Sequence, residues 1–143
     1  MAEPPRVLIV EDNDMNYEVA SYILGRMGIT VSRVMDGNDV LPSVLASPPD
    51  LIYMDIQLPG TDGLDATRHL RADERTRLIP IVALTAMSLM GDYARALAAG
   101  CDSYIVKPIS VSELRASALR FIPTLVDASG PEPDSEERPV TPW

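Results

Sequence analysis

Asp50-Leu51-Ile52-Tyr53-Met54-Asp55-Ile56-Gln57-Leu58-Pro59 decides the fold. An apolar run ends here on a carboxylate and then on a turn-forming proline. A strand with one wet face alternates apolar and polar residues. A strand covered on both faces does not, and such strands belong to parallel sheets. Val7-Leu8-Ile9-Val10 and Ile81-Val82-Ala83-Leu84 share this character. The reading gives a first strand at Arg6–Val10, a weaker second at 29–34, a third at 50–54, a fourth at 79–84 and a fifth at Ser103–Val106.

The gaps between these runs carry helical signals. Met15, Val19, Tyr22, Ile23 and Met27 fall at i, i+4, i+7, i+8 and i+12, the stripe of one helix. Residues 64–72 and 92–99 fill the third and fourth gaps. Ser110-Val111-Ser112-Glu113 is a capping box that opens a last helix running to about Ile122. Gly28 and Gly100 stand where helix C-caps are expected. Pro42 falls inside 38–46 and is expected to remove one hydrogen bond and to kink or shorten the second helix. Strands alternating with helices through right-handed crossovers give a doubly wound α/β fold, a five-stranded parallel sheet with flanking helices.

Composition bounds the function. The 143 residues suit one domain with a core of its own. The net charge of -9 argues against nucleic acid and anionic membrane surfaces, which both require clustered cations. No apolar run approaches the ~20 residues of a membrane span, and Met1-Ala2-Glu3-Pro4-Pro5 lacks the basic and apolar regions of a signal peptide. One cysteine, Cys101, makes no internal disulfide framework. The cytoplasm is the expected location. Residues 1–126 read as the folded domain. Residues 127–143, rich in Pro, Asp, Glu and Ser, read as a disordered acidic tail.

Ligands of open parallel sheets bind beyond the C-terminal ends of the strands. Those ends carry Glu11-Asp12, Asp55, Thr85-Ala86 and Lys107-Pro108. Carboxylates gathered on one rim repel one another, by about 4 kcal/mol for a pair ~4 Å apart at an effective dielectric of 20. Lys107 offsets part of this, and a hard divalent cation, Mg²⁺ or Mn²⁺, would offset more. A carboxylate is a competent nucleophile toward phosphorus, and phosphoryl transfer needs mainly positioning and charge stabilisation. Asp55 is the nucleophile candidate. Lys107 and the Thr85 hydroxyl are candidates to hold the phosphoryl oxygens. Pro108 directly after Lys107 is expected to favour a cis peptide that aims the ammonium inward.

In this order these pieces resemble the receiver domain of response regulators, the phosphorylated half of two-component signalling, over residues 6–122. The matching residues are Val7 to Asn13, Asp50 to Pro59, Asp62-Gly63, Pro80 to Ala86 and Lys107-Pro108-Ile109. The stretches 86–92 and 99–104 are similar to single-domain receivers. The resemblance implies a flavodoxin-like sheet in the order 2-1-3-4-5. It also implies metal binding by Asp12, Asp55 and the backbone carbonyl of Gln57, with Glu11 in support. It further implies phosphorylation of Asp55 by a histidine kinase or histidine phosphotransfer protein. Thr85 and Tyr104 would then switch the surface of helix four, strand five and helix five toward a downstream protein target. Gln57 and Met87 would flank the phosphoryl group and influence its lifetime. On this reading the protein is a signalling protein rather than an enzyme, catalysing only its own phosphorylation and dephosphorylation.

The alternatives are a receiver module of a hybrid kinase or larger regulator, and a hydrolase with an aspartate nucleophile. The hydrolase would require a second Asp where Gln57 stands. A flavodoxin-like electron carrier is rejected, because Glu11-Asp12-Asn13-Asp14 would repel a flavin phosphate. Cys101 reads as a small core residue and His69 as a surface residue.

Overall fold

The computed structural model describes residues 3–58, 60–86 and 90–125. Met87, Pro59 and the stretch from residue 126 onward, and so the expected tail, lie outside them. Five strands, β1 (Arg6–Val10), β2 (Thr30–Val34), β3 (Leu51–Asp55), β4 (Ile81–Thr85) and β5 (Ser103–Val106), form one parallel sheet in the order β2-β1-β3-β4-β5. Both the class and the order match expectation. β3 and β4 sit slightly further along the chain than expected. Pro80, which has no N–H to donate, stands just ahead of β4, and pairing continues to Asp55 opposite Leu84. Asp55 and Thr85 are therefore the last residues of their strands, held by the ladder itself.

The helices are α1 (Asp14–Arg26), α2 (Val40–Ala46), α3 (Gly63–Ala72), α4 (Met90–Ala99) and α5 (Val111–Phe121). Alternate strand residues face opposite layers, as the pleat requires. Val7, Ile9, Leu51, Tyr53, Val82 and Leu84 pack with Ala20, Ile23 and Leu24 of α1 and with Leu114 and Ala118 of α5. Leu8, Val10, Ile52, Met54, Ile81 and Ala83 pack with residues of α2, α3 and α4. The continuous apolar runs are thus explained by burial on both faces.

Polar side chains fix where the helices begin. The side chains of Asn13, Asp62 and Ser110 accept from the amides of Asn16, Asp65 and Glu113, at 2.9, 2.9 and 3.1 Å. Each such cap contributes about 1 kcal/mol. The helix N-cap at Ser110 is where the sequence placed it. Gly28 and Gly100, with φ of 84° and 116°, turn the chain after α1 and α4.

Two expectations need correction. The second helix is shortened, as expected, to Val40–Ala46, but Pro42 removes no intrahelical hydrogen bond from it. A short 3₁₀ turn, Gly37–Asp39, leads into α2, and Pro42 is its third residue. The first-turn amides of a helix have no intrahelical acceptor, so the missing N–H costs nothing there. The Met15 stripe is only partly the buried face of α1, through Ile23 and Met27. Met15, Val19 and Tyr22 are 73%, 42% and 65% exposed, whereas Ala20, Ile23 and Leu24 are buried with Tyr17 and Met27 packed beside them. The core face is turned by about 100°, one residue's rotation. Small Ala20 gave that face too little apolar weight to be seen in the sequence.

Arg71, at the end of α3, ties three segments together. Its guanidinium donates to the carbonyls of Gly100, Arg77 and Ile79, at 2.9, 2.9 and 2.7 Å, and pairs with Asp102 at 2.9 Å. Asp102 in turn accepts from the Ile81 amide that starts β4. Hydrogen bonds to charged groups contribute more than neutral ones, and two of the carbonyls left behind, those of Gly100 and Ile79, are part-buried. Arg71→Ala is expected to lower unfolding free energy by about 2–3 kcal/mol in urea titrations. A loss under about 0.5 kcal/mol, the size of an ordinary surface change, would contradict the tie.

On the other face the Tyr53 hydroxyl meets Ser117 Oγ at 2.6 Å, and Ser117 donates to the Leu114 carbonyl at 2.8 Å. Burial pushes the phenol up to about 12, against the opposing pull of Ser117. The ring therefore stays neutral and fastens α5 to β3.

Candidate functional site

Because every strand runs the same way, all their C-terminal ends share one rim. Glu11 directly follows β1, Asp55 ends β3, Thr85 ends β4 and Lys107 directly follows β5. Glu11, Asp55 and Thr85 are 1%, 4% and 4% exposed, while Asp12 is open to solvent. Each of Glu11, Asp12 and Asp55 offers a carboxylate oxygen, and the three oxygens lie within 4.8 Å of one another. The Lys107 ammonium reaches between the two buried acids, 2.9 Å from Glu11 Oε1 and 3.1 Å from Asp55 Oδ2.

The backbone completes the arrangement. The Gln57 amide donates to Asp55 Oδ1 at 2.9 Å, and the Asn13 amide donates to Glu11 Oε2 at 3.1 Å. The Lys107 amide donates to the Thr85 carbonyl at 2.7 Å, which keeps the ends of β4 and β5 side by side. Lys107-Pro108 is cis, as anticipated.

One cation among three acids leaves the rim electron-rich. Burial, and then the charge of Glu11, raise Asp55 to about 6, although the Gln57 amide and the Lys107 ammonium pull the other way. Burial works against charge on Lys107, but Glu11 and Asp55 outweigh it and raise its pKa. Lys107 therefore stays an ammonium. The donor set is all oxygen, anionic and partly open to water. It fits a hard divalent cation that keeps some of its waters. It does not fit zinc or copper, which favour nitrogen and sulfur. A cleft of about 590 Å³, lined by Asp12, Gln57, Asp62 and Arg95 among others, opens beside the acids.

Of the residues singled out from sequence, Glu11, Asp12, Asp55 and Lys107 meet directly. Thr85 closes the same rim, Ala86 is exposed just beyond it, and Gln57 is exposed on the loop after β3. Met87 lies outside the described residues. Tyr104 sits on β5 away from the acids, 36% exposed, its ring centroid 4.4 Å from that of Tyr93 on α4. Cys101 is buried and His69 exposed, in agreement with the sequence.

Sequence reading missed the contacts that hold the loops. A Cβ on Gly37 would fall 1.5 Å from the Thr61 carbonyl oxygen, so the loop after β2 and the loop after β3 touch backbone to backbone. Gly60 (φ 73°) lies against Asp36 and Asn38, and the Thr61 hydroxyl donates to the Asn38 side chain. Arg33 of β2 was missed as well. Its guanidinium donates to the Glu11 carbonyl. Nothing in a linear pattern pairs residue 33 with residue 11, or residue 38 with residue 61.

A family model described as the response regulator receiver domain matches residues 7–119. The chain belongs to the response-regulator receiver family. This receiver is 40% identical to the polar-differentiation response regulator DivK of Brucella anthropi over 122 residues, which cover 85% of this chain and 94% of that one. The Brucella ovis DivK is 41% identical over 119 residues, covering 83% and 91%. Among solved structures, the receiver domain of a Pseudomonas aeruginosa sensor histidine kinase, with magnesium coordinated in its active-site cleft, is 40% identical. It covers 84% of this chain and 98% of its own at a TM-score of 0.78. A response regulator from Chloroflexus aurantiacus is 30% identical, with a TM-score of 0.80 and coverage of 82% and 97%. The receiver thus resembles single-domain regulators over nearly their full length, and these relatives do not favour the hydrolase alternative. Among the described residues no helix is long and apolar enough to cross a membrane.

Proposed function

We propose that this receiver accepts a phosphoryl group on Asp55 from a phosphohistidine of a histidine kinase or phosphotransfer protein. The phosphorylated surface of α4, β5 and α5 then binds a downstream protein, and the cytoplasm is the setting. The observation that carries this reading is the Lys107 ammonium seated between Glu11 and Asp55 beside a cluster of three carboxylates.

Asp12, Asp55 and the Gln57 carbonyl are the proposed holders of Mg²⁺ or Mn²⁺, with Glu11 in support. The bound cation supplies charge neutralisation for the incoming phosphoryl oxygens. Asp55 Oδ attacks phosphorus, an O–P bond forms, the P–N bond to the donor imidazole breaks, and the imidazole nitrogen keeps the electron pair and takes a proton. Lys107, already 3.1 Å from Asp55 Oδ2, would follow the charge onto a phosphoryl oxygen. Thr85 at the end of β4 would donate its hydroxyl to another. Thr85 and Tyr104 would form the switch: movement of Thr85 toward the phosphoryl group frees space that the Tyr104 ring enters, leaving Tyr93. Ala86, the next residue, would follow Thr85. In this picture catalysis is limited to the protein's own phosphorylation and dephosphorylation.

The test is incubation with acetyl phosphate and Mg²⁺, followed by intact-mass measurement. One added phosphoryl group, absent when EDTA is included, is expected. Labelling that ignores EDTA would defeat the metal assignment. Thr85→Ala is expected to label but to lose the rise in partner affinity on phosphorylation. A normal rise would contradict the switch.

The raised Asp55 pKa makes a pH prediction. A carboxyl raised in the folded state stabilises the fold below its unfolded pKa of 3.8, and this contribution is lost as pH rises through about 6. Above that pH Asp55 is ionised and available to a cation. Mg²⁺ is expected to raise the melting temperature well above pH 6 and to have little effect well below it. Equal Mg²⁺ stabilisation on both sides of pH 6 would contradict the assignment.

A further inference from the structure

Arg33 lies on β2, outside the acid cluster, yet its side chain holds the loop that carries Asp12. Its Nε donates to the Glu11 backbone carbonyl at 3.0 Å. Its Nη2 pairs with Asp14 Oδ1 at 3.0 Å, and its guanidinium carbon stands 4.5 Å from the centroid of the Tyr17 ring. The side chain is only 21% exposed. One guanidinium thus grips a carbonyl just before Asp12, a carboxylate two residues after it and a ring on the first turns of α1.

Asp12 is pinned from the other direction too. The Asn13 amide donates to Glu11 Oε2, and the Asn13 side chain caps α1. The peptide units on both sides of Asp12 are therefore tethered, while the Asp12 carboxylate itself is exposed. We infer that Arg33 is a positioning residue for the cation site: it fixes the backbone from which Asp12 reaches the cation. This inference rests on the metal site proposed above.

The sign of the effect separates this role from simple electrostatics. A positive charge near a cation site opposes binding, so removal of Arg33 would tighten Mg²⁺ binding if only its field mattered. If it positions the loop, removal weakens binding. Residues supporting metal ligands typically contribute 10–100-fold in affinity. Lysine is the sharper substitution. It keeps the charge but cannot donate to the Glu11 carbonyl, pair with Asp14 and stack on Tyr17 in one plane.

The experiment is calorimetric titration of the full chain with MgCl₂ for wild type, Arg33→Lys, Arg33→Ala and Arg71→Ala. Asn13 amide hydrogen exchange is followed in parallel in the metal-free proteins. The expected result is about tenfold weaker Mg²⁺ binding in Arg33→Lys, weaker binding still in Arg33→Ala, and faster Asn13 exchange in both. Arg71→Ala, destabilised at a distance from the rim, is expected to bind as wild type does, which separates positioning from stability. Unchanged affinity in Arg33→Lys, or tighter binding in Arg33→Ala, overturns the inference. Should wild type itself bind no Mg²⁺, the metal reading fails, and unchanged Asn13 exchange in Arg33→Lys would then refute the tether separately.

Discussion

Asp55→Asn is expected to abolish labelling by acetyl phosphate in Mg²⁺ and to leave the fold intact. The amide is nearly isosteric, keeps an oxygen to accept from the Gln57 amide, and loses the negative charge that attacks phosphorus. It also removes a charge that burial and Glu11 disfavour. The metal-free variant should therefore melt no lower than wild type near neutral pH, a result opposite to that of breaking an ordinary ion pair. Lys107 remains paired with Glu11 in the variant, so no buried ammonium is stranded. Intact mass and melting curves read the two outcomes separately. Label of equal yield on the variant would sink the nucleophile assignment. A large drop in melting temperature would mean that Asp55 serves the fold.

Gly63→Ala is expected to damage the fold and the site together. A Cβ there would fall 2.1 Å from the Asp55 carbonyl oxygen, 2.6 Å from Ile56 Cα and 2.9 Å from the Asp55 carbonyl carbon. All three are backbone atoms, so no side chain can swing aside. Relief requires α3 to back away from the end of β3 and to strain the 3.2 Å bond from the Gly63 amide to the Ile56 carbonyl. Alanine would gain under about 1 kcal/mol in helix propensity. Overpacking of this kind costs about 1–3 kcal/mol, and more where the neighbours are rigid, so the clash decides the sign. Urea unfolding should show a net loss of about 2 kcal/mol or more, with weakened Mg²⁺ binding, because Asp55 moves with its carbonyl. Gly25→Ala makes the contrast. Nothing lies within 4 Å of a Cβ at that position in α1, so a gain of about 0.5–1 kcal/mol is expected. A gain at both positions would show that the close approach at Gly63 is not a constraint.

The sheet was legible because burial on both faces writes itself into the chain as Val7 to Val10, Leu51 to Met54 and Ile81 to Leu84. The rim was legible because parallel strands collect their C-terminal neighbours, so Glu11, Asp55, Thr85 and Lys107 could be placed together before any distance was known. The phase of α1 was not legible. Met15, Val19 and Tyr22 are as apolar as core residues, and only packing against α5 and the sheet selects Ala20 and Leu24 beside Ile23 instead. The hydrogen bond that Pro42 was expected to remove was misjudged because the loss depends on helix register, and the 3₁₀ turn that sets the register follows from Asp36 capping Asn38. Arg33 stayed invisible for a related reason. Its partners are a backbone carbonyl, a carboxylate and a ring that meet only once β2 lies beside β1.

The buried phenol of Tyr53 has a mechanical meaning. It stands two residues before Asp55 on the same strand and clasps Ser117 in the middle of α5. One flank of the molecule is thereby riveted to the stem that bears Asp55. A disturbance at the rim would meet a stator on the α5 side, while on the other side the Tyr93–Tyr104 ring pair couples α4 to β5.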